Sequence, residues 1–320
     1  FYLGGRGYIK NISFLGQSVT SGIVVSFYMY ISKFFNPIQN LAEQFNRLQS
    51  AFASAEKIFS VFDIKPEIID SEDAEEKEHI KGDIEFRNVW FAYVPGEWIL
   101  KDVSFTISAG QTVAFVGATG SGKSTIVNLL MRLYDADRGQ IRIQGVDVKN
   151  IPDEKLHRMF GVVFQSDVLF ADTIRENIDF GRRLTMEEID DAAKNAQAQE
   201  FILTREEKYE DALSIRGSNL SGGQRQRLLI ARALAGQPDI LVLDDSSSAL
   251  DYKTDASMRQ AIRESLSDTT SIIIAQRVSS IMQADHILVL ENGREIGCGT
   301  HEELLKNCPV YQEIAATQLG

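Results

Sequence analysis

Positive charge is in short supply: 33 Lys and Arg stand against 45 Asp and Glu in 320 residues, a net charge of -12. Affinity for nucleic acid comes mostly from Lys and Arg on phosphates, so this balance argues against nucleic acid as the main partner. Cysteine is nearly absent. Cys298 and Cys308 match no metal-site spacing and read as reduced thiols in a cytosolic body, not as a disulfide framework. Internal repeats and low-complexity tracts are missing, which sets aside solenoids and arrays. The opening residues do not resemble a signal peptide. The chain starts at Phe1 without Met, and the expectation is of a piece whose N-terminal part is missing. Charge is wholly absent from Asn11 to Ser32. That stretch approaches the roughly 20 residues of a bilayer span. Gln17, Ser18, Thr20, Ser21 and Ser26 dilute it and Lys33 follows, so a buried helix with a polar loop is the alternative to a membrane helix.

What is present is organised in blocks, and the length suggests about two domains. Residues 1–60 hold five basic against two acidic side chains, so the deficit lies in the body that follows. Pro37 interrupts the first apolar pattern. Beyond it Leu48, Phe52, Ala55, Phe59 and Phe62 recur at steps of four and three, the period of an amphipathic helix. The acidic stretch from Glu67 to Glu78 breaks all periodicity and reads as a solvated linker. From Asp83 onward, short apolar runs alternate with helical segments: IEFRNV, TVAFVG, QIRIQG, GVVFQ, ILVLD, SIIIAQ and HILVLENGREIG. That alternation implies an α/β fold with a largely parallel sheet covered on both faces. Asn292-Gly293 reads as a hairpin turn. Thr185 with Glu188, Ser221 with Gln224 and Thr300 with Glu303 have the spacing of capping boxes at helix starts.

Three strings carry chemistry. The first is GATGSGKST: Gly117, Ala118, Thr119, Gly120, Ser121, Gly122, Lys123, Ser124 and Thr125. It follows an apolar run and precedes a helical one, the strand–loop–helix order of a phosphate-binding loop. Glycines let backbone N–H groups close around phosphate oxygens, and the helix adds its positive end. Lys123 supplies a point charge to the β- and γ-phosphates, and the Ser124 hydroxyl can ligate Mg²⁺. The second string, ILVLDD, is a buried strand with carboxylates at its C-terminal end, where ligands sit in open α/β sheets. Asp244 is placed to hold the Mg²⁺ shell. In the third, NLSGGQRQRLLIARAL, Ser221 caps a helix whose first turn is Gly222 and Gly223, with Gln224 completing the box. Free N–H groups and a positive dipole there point at an anion.

In this order the strings resemble the ATP-binding cassette family over residues 83–320. The resemblance implies a P-loop NTPase with a mixed sheet, an antiparallel β subdomain and an α-helical signature subdomain. It implies ATP and Mg²⁺ as cofactors. Tyr93, in FAYVPGE, sits where the family stacks an aromatic ring on adenine, and Gln165, in VVFQSDVLF, matches the glutamine loop that touches Mg²⁺ beside Ser124 and Asp244. The string LFADTIRENI is similar to exporters. By the same resemblance, residues 1–48 would end an α-helical membrane domain with its last membrane helix, and 49–82 would be a connecting helix and acidic linker. The full protein would be a multi-pass half-transporter of the cell (inner) membrane with its ATPase domain in the cytoplasm.

Three departures from the family qualify this. The acid after Asp244 is normally Glu, which deprotonates the attacking water, and here is Asp245. The following histidine is Gln276, which can hydrogen-bond a phosphate but cannot relay a proton. The family's ERG is Ile215-Arg216-Gly217, which puts a contact to the membrane domain in doubt. Asp245, Gln276 and Lys123 would form the catalytic set of a weakened site. Ser221, Gly222, Gly223 and Gln224 would act head to tail on the ATP of a second half-transporter carrying the consensus Glu and His. The alternatives are a regulatory ATP-binding subunit with turnover only at the partner's site, and a non-transport ATPase of the same family.

Overall fold

A computed structural model describes residues 13–14, 17–18, 20–66, 68–70, 82–244, 250–275 and 277–319. The chain divides into two compact units, Phe1–Glu67 and Ile68–Gly320. In the first, strands β1 (Ser13–Phe14) and β2 (Gln17–Ser18) pair antiparallel, and helix α1 (Ser21–Phe62) runs for 42 residues. Thr20 caps α1 by accepting the N–H of Ile23 at 3.4 Å.

Two expectations need correction here. Pro37 lies inside α1 and does not end it. Proline removes one N–H from the ladder and clashes locally, which a helix of this length absorbs. The charge-free stretch is not one long helix either, since part of it pairs as β1 and β2 and α1 begins only at Ser21. No helix among the described residues is long and apolar enough to cross a membrane. Lys33, Asn36, Gln39 and Asn40 enter α1 too early. Most of the expected acidic linker, 67 and 71–78, lies outside the described residues.

The second unit is built on a six-stranded sheet in the order β12-β11-β5-β10-β9-β8. Its members are β5 (Thr112–Val116), β8 (Phe160–Val163), β9 (Ile240–Asp244), β10 (Thr270–Ile274), β11 (His286–Glu291) and β12 (Arg294–Gly299). All pairs are parallel except β11 with β12, which the Asn292-Gly293 turn joins as an antiparallel hairpin. Both turn residues have positive φ, 49° and 79°, as a type I′ turn demands. A four-stranded antiparallel sheet in the order β4-β3-β6-β7 lies beside it, made of β3 (Ile84–Phe91), β4 (Leu100–Ile107), β6 (Arg138–Ile143) and β7 (Val146–Asp147). β4 and β7 are absent from the apolar runs read in the sequence.

Strand parity explains the layers. On one face of the large sheet Val113, Phe115, Ile240, Val242, Ile272 and Leu288 pack with the antiparallel sheet and helices α2 (Lys123–Leu130) and α3 (Asp153–Arg158). The alternate residues point the other way. Leu241 and Leu243 meet α4 (Ile174–Asp179), α5 (Met186–Asn195), α6 (Gln199–Leu203), α7 (Gly222–Ala235) and α8 (Tyr252–Ser265). Ala114, Ile273 and Ile287 meet α9 (His301–Asn307) and α10 (Pro309–Leu319). A strand buried on both faces has no polar alternate, hence the continuous apolar runs. All three expected capping boxes close, at α5, α7 and α9.

One buried cation ties the helical layer together. Arg232 on α7 is 6% exposed. It donates to the carbonyls of Val168 and Asn177 and to Asn177 Oδ1, each at 2.9 Å. Its guanidinium lies 4.7 Å from the ring centroid of Phe180 and 5.6 Å from that of Phe170. A planar fork with fixed donor directions makes these bonds together, whereas an ammonium on a flexible stem cannot. Arg232→Ala should lower stability by about 3 kcal/mol, the usual cost of breaking a buried charged network. Arg232→Lys should recover less than half of that. Thermal unfolding midpoints of the two variants check this, and a lysine variant with the parent's midpoint would show that charge alone suffices.

Candidate functional site

β5 is buried through Val116 and leads directly into the glycine loop, and α2 begins at Lys123. Two glycines set the loop's path. A Cβ at Gly117 would stand 2.1 Å from the carbonyl oxygen of Leu290, so the loop passes against β11 only because that atom is missing. Gly122 is the N-cap of α2 with φ 105° and makes no side-chain cap bond. It therefore leaves the first N–H groups of α2 without a side-chain acceptor, as an anion-binding helix start requires. Lys123 folds back over the loop, its Nζ donating to the carbonyls of Gly117 (2.8 Å) and Ala118 (2.9 Å) and, at 3.5 Å, to Ser121 Oγ. Burial lowers its pKa, and the negative charge of Asp244 partly offsets this.

Asp244 ends β9 and is 7% exposed. Its neighbour in the sheet register is Ile274 of β10, so it leaves the sheet at the C-terminal edge beside the loop. There Ser124 Oγ donates to Asp244 Oδ2 at 2.9 Å. The bond joins two expected metal ligands that stand 120 positions apart in the chain. The loop, Gln165, Asp244 and Tyr93 together line a cleft of about 690 Å³. Ser121 is the one loop residue outside its wall, being buried beneath it.

Tyr93 is held by its edge. Its hydroxyl donates to Thr125 Oγ1 (3.4 Å) and accepts from Asn128 Nδ2 (3.1 Å), both on α2. Phe91 and Tyr134 meet the ring edge-on, at centroid distances of 4.8 and 5.0 Å. Tyr93 as a whole is 45% exposed. An exposed ring fixed by its hydroxyl and its neighbours is suited to stacking on a planar ligand.

Other expected site residues stand elsewhere. Ser221, Gly222, Gly223 and Gln224 form the start of α7, with Gln224 N–H donating to Ser221 Oγ at 3.2 Å and Ser221 N–H to Gln224 Oε1 at 3.0 Å. None of the four lines the cleft. Ile215 is 75% exposed, and Arg216 beside it is left-handed at φ 58°. Asp245 and Gln276 lie outside the described residues. One wall of the cleft was missed altogether: Val310, Glu313, Ile314 and Gln318 of α10 line it. Residues 310, 314 and 318 share one helical face by their spacing of four, a signal present in the sequence with nothing local to aim it.

Residues 100–248 match the family model of the ABC transporter. The chain is 40% identical over 301 residues to the uncharacterized ABC transporter ATP-binding protein YfiC of Bacillus subtilis, covering 94% of this chain and 50% of that protein. It is 39% identical over 319 residues to the fatty acid ABC transporter ATP-binding/permease protein of Mycobacterium bovis, covering 98% and 50%. It therefore spans about half the length of these curated relatives. Among solved structures, a bacterial Atm1-family ABC exporter with ATP bound superposes with a TM-score of 0.82 at 35% identity, covering 100% of this chain and 57% of that one. The glycine loop, Gln165 and Asp244 all lie within the matched residues: this chain carries the ATP-binding domain of an ABC transporter.

Proposed function

We propose that this chain is the ATP-binding part of an ABC exporter half-transporter that couples ATP binding and hydrolysis, at a head-to-tail dimer interface, to export across a membrane. The observation that carries this is the Ser124–Asp244 hydrogen bond beside the Lys123 ammonium in the glycine loop. These residues fit Mg-ATP. A hydroxyl and a carboxylate already within hydrogen-bond reach are hard oxygen ligands of the kind Mg²⁺ takes. Lys123 is held by neutral carbonyl and hydroxyl oxygens, which a phosphate would outcompete as a partner for its charge. Bound Mg²⁺ neutralises charge on the β- and γ-phosphate oxygens. In this reading Lys123 and the loop N–H groups orient the phosphates, Gln165 completes the metal's surroundings and Tyr93 stacks on adenine.

The substrate-facing part of such a transporter is a separate matter. The Mycobacterium bovis relative is described as a fatty acid transporter, which makes an amphiphile the first cargo class to try. Asp245 and Gln276 support a degenerate hydrolytic site. Asp245 is one methylene shorter than the expected Glu, and a displacement of about 1 Å can cost roughly a hundredfold in rate. The chain would then work as the slow member of a heterodimer, with its intact Ser221–Gln224 start facing the partner's ATP.

Two measurements test this. Lys123→Ala and Asp244→Asn should each weaken Mg-ATP binding by roughly ten- to a hundredfold, the range for losing one charge-assisted contact. Titration with a fluorescent ATP analogue reads this, and unchanged affinity in both variants would sink the assignment. Within a heterodimer at saturating ATP, Gly222→Asp should cut turnover by on the order of a hundredfold or more, as loss of a preorganised donor does. Asp245→Asn in the same heterodimer should cost under about threefold, because its site contributes little turnover. Equal damage from both would show that Asp245 is a working base.

A further inference from the structure

Tyr93 stands on a stretch of backbone with little around it. Residues 93–97, between β3 and β4, are all exposed. A Cβ at Gly96 would meet nothing within 4 Å. The stretch is tied at its two ends. Ala92 N–H donates to Asp137 Oδ2 at 2.9 Å, and Ile99 N–H donates to the Phe91 carbonyl at 2.8 Å. Between them, Glu97 N–H donates to the Val94 carbonyl at 2.9 Å, a bond within the stretch itself. Exposed backbone closed on itself opens easily. The orientation of the Tyr93 ring therefore depends on what its side chain reaches.

It reaches α2, the helix that starts at Lys123 in the phosphate loop. Thr125 and Asn128 stand three apart on α2, hence on one face. Their bonds to the Tyr93 hydroxyl differ in quality. The one to Thr125 Oγ1, at 3.4 Å, exceeds the roughly 2.5–3.0 Å of a hydroxyl donor. The one from Asn128 Nδ2, at 3.1 Å, lies inside the roughly 2.7–3.2 Å of an N–H donor. Their places differ as well, since Thr125 lines the cleft and Asn128 does not. Phe91 and Tyr134 pack against the ring, but an edge contact between rings is less directional than a hydrogen bond. We infer that Asn128 is a positioning residue for the base. By donating to the Tyr93 hydroxyl it fixes the stacking ring to the helix that begins in the phosphate loop, and so sets affinity for the base and not for the phosphates. This rests on the proposed stacking of Tyr93 on adenine.

The test titrates the full chain with two ligands in the presence of Mg²⁺: ATP, and inorganic triphosphate, which has the phosphates without base or sugar. Tyr93→Ala should lower ATP affinity roughly five- to a hundredfold, the range for a lost base–aromatic stack. Asn128→Leu removes the donor at similar volume and should lower ATP affinity about three- to tenfold, the effect of one hydrogen bond. Both should leave triphosphate affinity within about twofold of the parent. Tyr93→Phe cuts the same bond from its other end. In that background Asn128→Leu should change nothing further, because the bond can be lost only once. If Asn128→Leu does not fold, Asn128→Ser replaces it, because its shorter side chain stops short of the ring hydroxyl. Unchanged ATP affinity in the Asn128 variant overturns the inference. So does an equal loss for ATP and triphosphate, the result of a merely structural role, or an undiminished effect of Asn128→Leu in the Tyr93→Phe background. If Tyr93→Ala leaves ATP affinity unchanged, the stacking reading fails and the inference with it. If Tyr93→Ala lowers it and Asn128→Leu does not, stacking stands and the role of Asn128 alone falls. A parent chain that binds neither ligand refutes the proposed function and the inference together.

Discussion

A sheet with apolar side chains on both faces leaves its polar groups only the strand ends, and that constraint organises the ATPase unit. Ile240 and Val242 point to one layer, Leu241 and Leu243 to the other. Each buried aliphatic side chain contributes on the order of 2 kcal/mol, so no strand of the central four can carry a functional group mid-length without losing part of that. Asp244 is the first residue of β9 placed where a carboxylate is tolerable. It still sits 7% exposed and accepts a hydrogen bond from Ser124. The cleft follows from this, since the loop after β5, the end of β9 and the loop after β8 all emerge at the same edge.

The glycine loop works by what it lacks. At Gly117 the nearest obstacle to a side chain is the Leu290 carbonyl, and at Gly122 it is Leu100 Cδ2, 2.5 Å from where a Cβ would be. Both obstacles belong to other strands, so the loop's shape is dictated by its surroundings as much as by its own residues. Lys123 is kept over the loop by backbone carbonyls, which hold its ammonium without neutralising it. An unneutralised, partly desolvated cation is a stronger attractor for phosphate than one already paired with a carboxylate.

What could be read in the sequence was what depends on near neighbours. The capping boxes at Thr185, Ser221 and Thr300, the Asn292-Gly293 hairpin and the strand–loop–helix around Lys123 all closed as local rules demand. β4 was illegible for a physical reason. Asp102 adopts positive φ where β3 and β4 pair, and the register shifts there, so Leu100 falls out of phase with Val103, Phe105 and Ile107. Pro37 misled because the local cost of a proline says nothing of the length of helix around it. The α10 wall of the cleft depends on contacts across the whole unit, to which no window of sequence gives access. The two departures that matter most for chemistry, Asp245 and Gln276, are legible only as residue types, since both lie outside the described residues.

β12 ends the large sheet, and α9 and α10 follow it in the chain. Leu304 and Cys308 cover Gly297 so closely that a Cβ there would be 3.3 and 3.2 Å from them. During synthesis the strand exists before that cover does, and an open strand edge is a template for pairing with another chain. Protection at that stage has to reside in the strand itself. Its pairing with β11 is offset between Val289 and Leu290, it carries Arg294 and Glu295 at its start, and glycine occupies positions 297 and 299. Each of these makes the edge a poor template for a passing strand before α9 docks.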